Sequence, residues 1–230
     1  LNFKTQNNHW NNEKNSNIFE KLPIVFFKKT AKKIGLDKCC DIQNLEIYIN
    51  KSDSILDVGA GWGRVLNYLI FHKKYKGKLY ALERSQQFYS YLKREFANQV
   101  ELYNEDIRTF SSHNKVDLIL WMWAGIAEFN QQEQKQVIIR LASILCEGGY
   151  LIIETNPNME AIPEANLHTH KLEGQHGIVQ VPSSKILYYY FMPTTEQIKE
   201  YAASAKLKHQ KSIHYKTDTG LERTLDILQK

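Results

Sequence analysis

The segment Asp57-Val-Gly59-Ala60-Gly61-Trp-Gly63 sets an acid two residues ahead of three alternating glycines, at the end of an apolar run. Glycine at 59 and 61 lets backbone come against a ligand with no Cβ in the way. The spacing departs from the dinucleotide fingerprint, because the third glycine comes one residue early. The Lys-Ser/Thr of a phosphate-binding loop is also missing. A leading acid repels a pyrophosphate and suits a ligand that carries a positive charge, such as an ammonium group, together with an adenosine. Glu83 and Asp106 each end a later apolar run. An acid at the first of these ends can accept both hydroxyls of a ribose. Asp106 followed by Ile107 can accept from an adenine exocyclic amine and cover the ring with an apolar side chain.

Those acids need a scaffold that brings strand ends together. Buried strands are predicted at 54–59, 78–83, 100–106, 116–123 and 150–155. Between them, Val65, Leu66, Leu69 and Ile70 share a helical face in 62–72, and Phe88, Leu92 and Phe96 mark the next helix. The clearest helix spans 130–146, with Val137, Ile138, Leu141, Ile144 and Leu145 inward and Gly148-Gly149 as its stop. Strands alternating with helices of this length give an α/β fold, a mainly parallel sheet covered on both sides. Three acids at three successive strand ends then share one edge, the carboxyl edge where open α/β sheets bind ligands.

Around this frame, residues 1–17 read as an Asn-rich, loosely ordered arm with Trp10 docked somewhere. Helical patches at 19–34 and 41–50 complete an N-terminal extension, residues 1–50, that serves as lid or flank. Residues 51–230 form the main unit of a single-domain chain. Residues 156–177 have no period and read as a long functional loop. Two strands within 178–192, joined at Ser183-Ser184, form a hairpin cover. Thr194 caps a helix running to about Ala205, and a last antiparallel hairpin closes the chain around TDTG.

In this register the segments ILDVGAGWG, LYALERS, YNEDI and VDLILWMWAGIAEF, with LCEGGYLIIE after them, resemble the motifs of the class I S-adenosylmethionine-dependent methyltransferases. The resemblance covers residues 54 to 155 well and the tail more loosely. It implies a Rossmann-like, doubly wound, seven-stranded sheet whose last strand is antiparallel, with S-adenosyl-L-methionine as methyl donor. It further implies that Asp57, Gly59, Ala60 and Gly61 meet the methionine moiety, and that Glu83 holds the ribose with Arg84 beside the adenosine. Asp106 and Ile107 would hold the adenine. Trp121 would lie near the sulfonium, where an aromatic face favours a cation by roughly 0.5–2 kcal/mol.

The acceptor leaves a fainter trace. His168, His170 and His176 in the long loop, and Glu128 after the fourth strand, are candidate general bases. The ordinary reading of a histidine in a polar loop is a solvated side chain. The histidine cluster has no carboxylate or thiol partner, and the three cysteines have no metal spacing, so no metal is expected. The fourth strand ends in WMWAG and lacks the Asn/Asp-Pro-Pro-aromatic tetrapeptide of exocyclic-amine methyltransferases. The net charge of +5 is dispersed, and no added RNA-binding module fits the 230 residues. A small-molecule acceptor with an O or N nucleophile is therefore expected, and nucleic acid is not. An RNA or protein acceptor, marked by a continuous basic surface at the pocket mouth, is the alternative. A non-catalytic cofactor-binding partner would have lost Asp57 or the glycines. No apolar run approaches the ~18 residues of a membrane span. The odd cysteine count and the lack of a signal peptide suit a reducing cytoplasm, with a monomer or homodimer expected.

Overall fold

The computed structural model describes residues 18–112, 114–157, 175–180 and 186–230, with 168–171 described by their backbone. The predicted arm at 1–17, Trp10 and the Ser183-Ser184 joint lie outside the described residues. A helical turn at 18–21 leads into α1 (Ile24–Lys33), α2 (Cys40–Gln43) and α3 (Glu46–Ile49). The frame follows as β1 (Ser54–Val58), α4 (Arg64–Asn67), β2 (Lys78–Leu82), α5 (Gln86–Phe96), β3 (Glu101–Tyr103) and β4 (Val116–Trp121). After it come α6 (Gln131–Ile144), β5 (Leu145–Thr155), β6 (His168–Lys171), β7 (His176–Gln180) and β8 (Leu187–Phe191). The chain closes with α7 (Thr195–Ser204), β9 (Lys208–Lys216) and β10 (Glu222–Gln229).

Seven strands form one sheet in the order β3-β2-β1-β4-β5-β10-β9. The first five are parallel, and β10 enters antiparallel to both β5 and β9. Alternation along each strand divides the core in two. Leu56, Val58, Ile119 and Trp121 face one layer with α6 and α7, while Ile55, Leu118, Leu120 and Ile152 face the other with α2 and α3. Burial on both faces explains why the strands read as unbroken apolar runs. Helix starts are chemically marked: Asn130 with Glu133, and Thr194 with Gln197, form capping boxes, and the Ser85 hydroxyl accepts from the Phe88 N–H.

Several expectations change. The helix predicted to 146 ends at Ile144, and Leu145 already belongs to β5. Gly148, at φ +77°, lets that strand kink and continue, so the glycine pair lies inside the strand. The third strand shortens to three residues because the Asn104 amide donates to the Glu83 and Arg84 carbonyls and turns the chain. The helix expected over 62–72 is a short α4 followed by a π turn, Tyr68–His72, closed by the Lys73 N–H on the Tyr68 carbonyl. The long loop is interrupted by β6, and His176 opens β7, so the expected hairpin is a separate three-stranded sheet, β6-β7-β8. HTHK carries no apolar alternation; what makes it a strand is backbone pairing to β7.

Candidate active site

The parallel strands deliver their carboxyl ends to one edge, and the loops there line a half-open cavity of about 240 Å³. Asp57 sits in β1 between β2 and β4, only 2% exposed, and its Oδ2 has no hydrogen-bond partner among the described residues. Burial pushes its pKa up to about 7 against the opposing pull of Arg64. A buried carboxylate with an unused acceptor fits a cationic partner. The three glycines divide the work. Gly59 and Gly61 line the cavity at φ +67° and +55°, and a Cβ on Gly59 would meet nothing within 4 Å, so open space lies against the backbone there. A Cβ on Gly63 would lie 2.5 Å from Phe96 Cε2, so that glycine serves helix packing, and its early position follows from this. Ala60 is buried and donates its N–H to the Leu82 carbonyl beside Gly59.

Glu83, just beyond β2, accepts 2.8 Å bonds from the Gly61 and Ser85 N–H groups, tying the glycine loop to the next strand. Its burial pushes the carboxyl up to about 7, opposed by those two bonds. Each oxygen keeps acceptor capacity for a diol. Asp106 is placed differently. Arg108 grips it through Nε at 3.0 Å and Nη2 at 2.8 Å, and Arg84 Nη1 stands 3.5 Å away. Burial opposes its charge, but the Arg108 bonds outweigh that and hold the carboxyl below the ordinary range. The cavity wall here is formed by its neighbours Glu105 and Ile107.

Arg84 and Glu128 form one ion pair in that wall, at 2.6 Å, with the guanidinium over the Phe129 ring. Burial raises the Glu128 pKa while Arg84 opposes the shift. Trp121 is 2% exposed, lines the cavity and packs against Phe129. A Cβ on Gly125 would fall 2.8 Å from its Nε1, so glycine is what allows the indole its place. Of the candidate bases, Glu128 lines the cavity. His176 lies on β7 against the Phe191 ring and is not itself among the lining residues, and burial lowers its pKa. The side chains of His168 and His170 lie outside the described residues.

Sequence reasoning missed three parts of the site. Phe19, Phe26 and Phe27 roof the cavity; Phe19 stacks on Phe27 and meets Tyr188 of β8 edge-on at 6.3 Å. The aromatic run IFEKLPIVFF was the available signal. The second part is the Arg64–Asp41 pair, bonded through both guanidinium nitrogens at 2.8 and 2.6 Å, which pins α2 to the helix after the glycine loop. The third is Glu154 on β5, fully buried, accepting from the Trp123 N–H and the Tyr215 hydroxyl, with Arg223 of β10 beside it. An acid inside the apolar run YLIIET marked Glu154; nothing local marked Arg223. Among the described residues no cluster could hold a metal ion, and no helix is long and apolar enough to cross a membrane.

Sheet order, the reversed β10 and a ligand edge at the strand ends define a Rossmann-like α/β fold of the methyltransferase type. Residues 55–149 match a family model described as a methyltransferase domain. No curated protein matches the sequence. Similar solved structures include an S-adenosylmethionine-dependent methyltransferase from Clostridium acetobutylicum, 16% identical, covering 92% of this chain and 94% of that one at a TM-score of 0.63. A sugar N-methyltransferase from Streptoalloteichus is 14% identical, with 89% and 93% covered and a TM-score of 0.67. Magnesium protoporphyrin IX methyltransferase from Synechocystis is 12% identical, with 94% and 95% covered and a TM-score of 0.65. At these identities the structures speak for the fold. Residues 55–149 of the 230 thus match a methyltransferase domain, and the fold around them is the one shared with these methyltransferase structures.

Proposed function

We propose that this chain is an S-adenosylmethionine-dependent methyltransferase that acts on a small organic acceptor through an oxygen or nitrogen nucleophile. The observation that carries the reading is the aromatic lining of the cavity. Its roof is the aromatic contact between Phe19 and Tyr188, and its walls include Trp62, Trp121 and Trp123. Such a space suits a compact molecule better than a polymer. The names of similar structures, which include sugar and porphyrin methyltransferases, support the same reading.

The bound donor supplies an already activated methyl group, so the chain's own contribution is position and exclusion of water. In this reading Asp57 faces the donor's ammonium group while Gly59 and Gly61 allow close approach. Glu83, held by Gly61 and Ser85, offers its remaining lone pairs to the ribose hydroxyls. Ile107 covers the adenine, and Asp106 braces that wall through Arg84 and Arg108. Trp121 offers an aromatic surface on the acceptor side. Residues 18–33 act as the lid of the N-terminal extension, and residues 51–230 as the methyltransferase domain. Glu128 faces the cavity but is committed to Arg84, which favours an acceptor that brings a lone pair without help from a strong base.

The test is incubation of the protein with donor labelled in its methyl group and a cell extract, followed by separation of small molecules from protein and RNA. Label is expected among the small molecules. Label confined to the protein or RNA fraction would refute the proposal.

A further inference from the structure

Arg223 is the second residue of β10, beside the end of β5, and lines the cavity while only 2% exposed. Its Nη1 stands 3.5 Å from Glu154 Oε1, and neither Nε nor Nη1 has a hydrogen-bond partner among the described residues. Glu154 is already served, Oε1 by the Tyr215 hydroxyl and Oε2 by the Trp123 N–H. A buried guanidinium with unused donors has lost its water without full replacement, a cost that native structures retain where a ligand completes the bonds.

Position decides which ligand. The strand order β1-β4-β5-β10 sets Arg223 three strands from Asp57, roughly 14 Å at ~4.8 Å per strand. Asp57 and Glu83, the donor-facing acids, stand on β1 and just beyond β2, on the other side of β4. Trp62, in the glycine loop after β1, and Trp123, whose N–H reaches Glu154, line the same cavity and pack edge to face at 5.3 Å. A planar guanidinium fork matches a carboxylate with two parallel bonds. We propose that Arg223 anchors a carboxylate on the methyl acceptor, whose apolar or aromatic body lies against the two indoles. This rests on the small-molecule methyltransferase reading above. The Glu154 pair balances the arginine's charge and holds its direction; the acceptor's anion supplies the bonds that Glu154 does not make. Neutral isosteres leave the donors unpaired and are rejected at that point.

The experiment uses the full chain saturated with S-adenosylhomocysteine and titrated with benzoate, and in parallel with benzamide, following indole fluorescence. Benzoate is expected to bind at least ten-fold more tightly than benzamide. Arg223→Lys, which keeps charge but loses the fork, should cut that preference several-fold. The pair Arg223→Met with Glu154→Gln, which removes both buried charges together, should abolish it. Binding of 5′-methylthioadenosine, which lacks the amino-acid portion, reports that each variant is folded. Equal affinity for benzoate and benzamide, or no binding of either, would overturn the proposal. So would variants that lose S-adenosylhomocysteine yet keep 5′-methylthioadenosine, because Arg223 would then grip the donor's own carboxylate. If the unmodified chain bound no S-adenosylhomocysteine, the methyltransferase reading itself would fall, and this one with it.

Discussion

Replacing Asp57 by Asn should make the protein more stable at pH 8 and worse at holding its donor. Asp57 is 2% exposed, its Oδ2 has no hydrogen-bond partner among the described residues, and its pKa stands at about 7 against an ordinary 3.8, chiefly through burial. At about 1.4 kcal/mol per pH unit, keeping it ionised in the free protein costs about 4 kcal/mol as an upper bound. Between pH 3.8 and about 7 the folded chain keeps a proton that the unfolded chain has lost. Stability contributed by this group therefore falls as pH rises through that window and levels off above it. Glu83, also raised to about 7, adds a drop of the same sign. Asn carries no charge, so the variant should lose most of the Asp57 share of the decline and gain roughly 1–3 kcal/mol at pH 8. Donor binding runs the other way. An ammonium bonded to a buried carboxylate is worth about 1.5–3 kcal/mol, so affinity should fall roughly 10- to 100-fold. The assay is thermal unfolding at pH 6 and 8, beside calorimetry with S-adenosylhomocysteine and 5′-methylthioadenosine. The second ligand, without an ammonium group, should bind unchanged. A variant that is less stable at pH 8 and binds both ligands as before would refute the reasoning.

Other substitutions separate the remaining roles. Glu83→Gln should weaken 5′-methylthioadenosine and S-adenosylhomocysteine alike, by about ten-fold or more in calorimetry, because both carry the ribose that Glu83 would accept. Gly63→Ala would drive a Cβ to 2.5 Å from Phe96 and should lower stability by about 1–3 kcal/mol or more in urea unfolding. Gly59→Ala, with open space around its Cβ, should cost only the ~1–2 kcal/mol of its left-handed backbone while reducing donor affinity. Asp41→Asn leaves Arg64 buried beside a neutral amide and should destabilise the chain by about 3–5 kcal/mol in the same unfolding assay.

Much of the frame is written locally. A short apolar run of β-branched and aliphatic residues bounded by turn residues favours a buried strand. Phe88, Leu92 and Phe96 line one face of α5 because of their spacing alone. The acid and glycines at 57–63 announce a close-approach loop because glycine's freedom at positive φ is a property of the residue. The sequence by itself therefore determined the strand-helix alternation, which acids and glycines share the carboxyl edge of the sheet, and the close-approach character of the glycine loop. What it could not determine is which polar groups are already spoken for. Asp106 is taken up by Arg108, and Glu128 by an arginine 44 residues away. β6 exists because β7 offers it backbone partners. Arg223 and Glu154 meet only because β10 inserts beside β5. Pairings of this kind depend on strand order and on the desolvation of both partners at once. Neither is a local property of the chain, so only the tertiary structure could decide them.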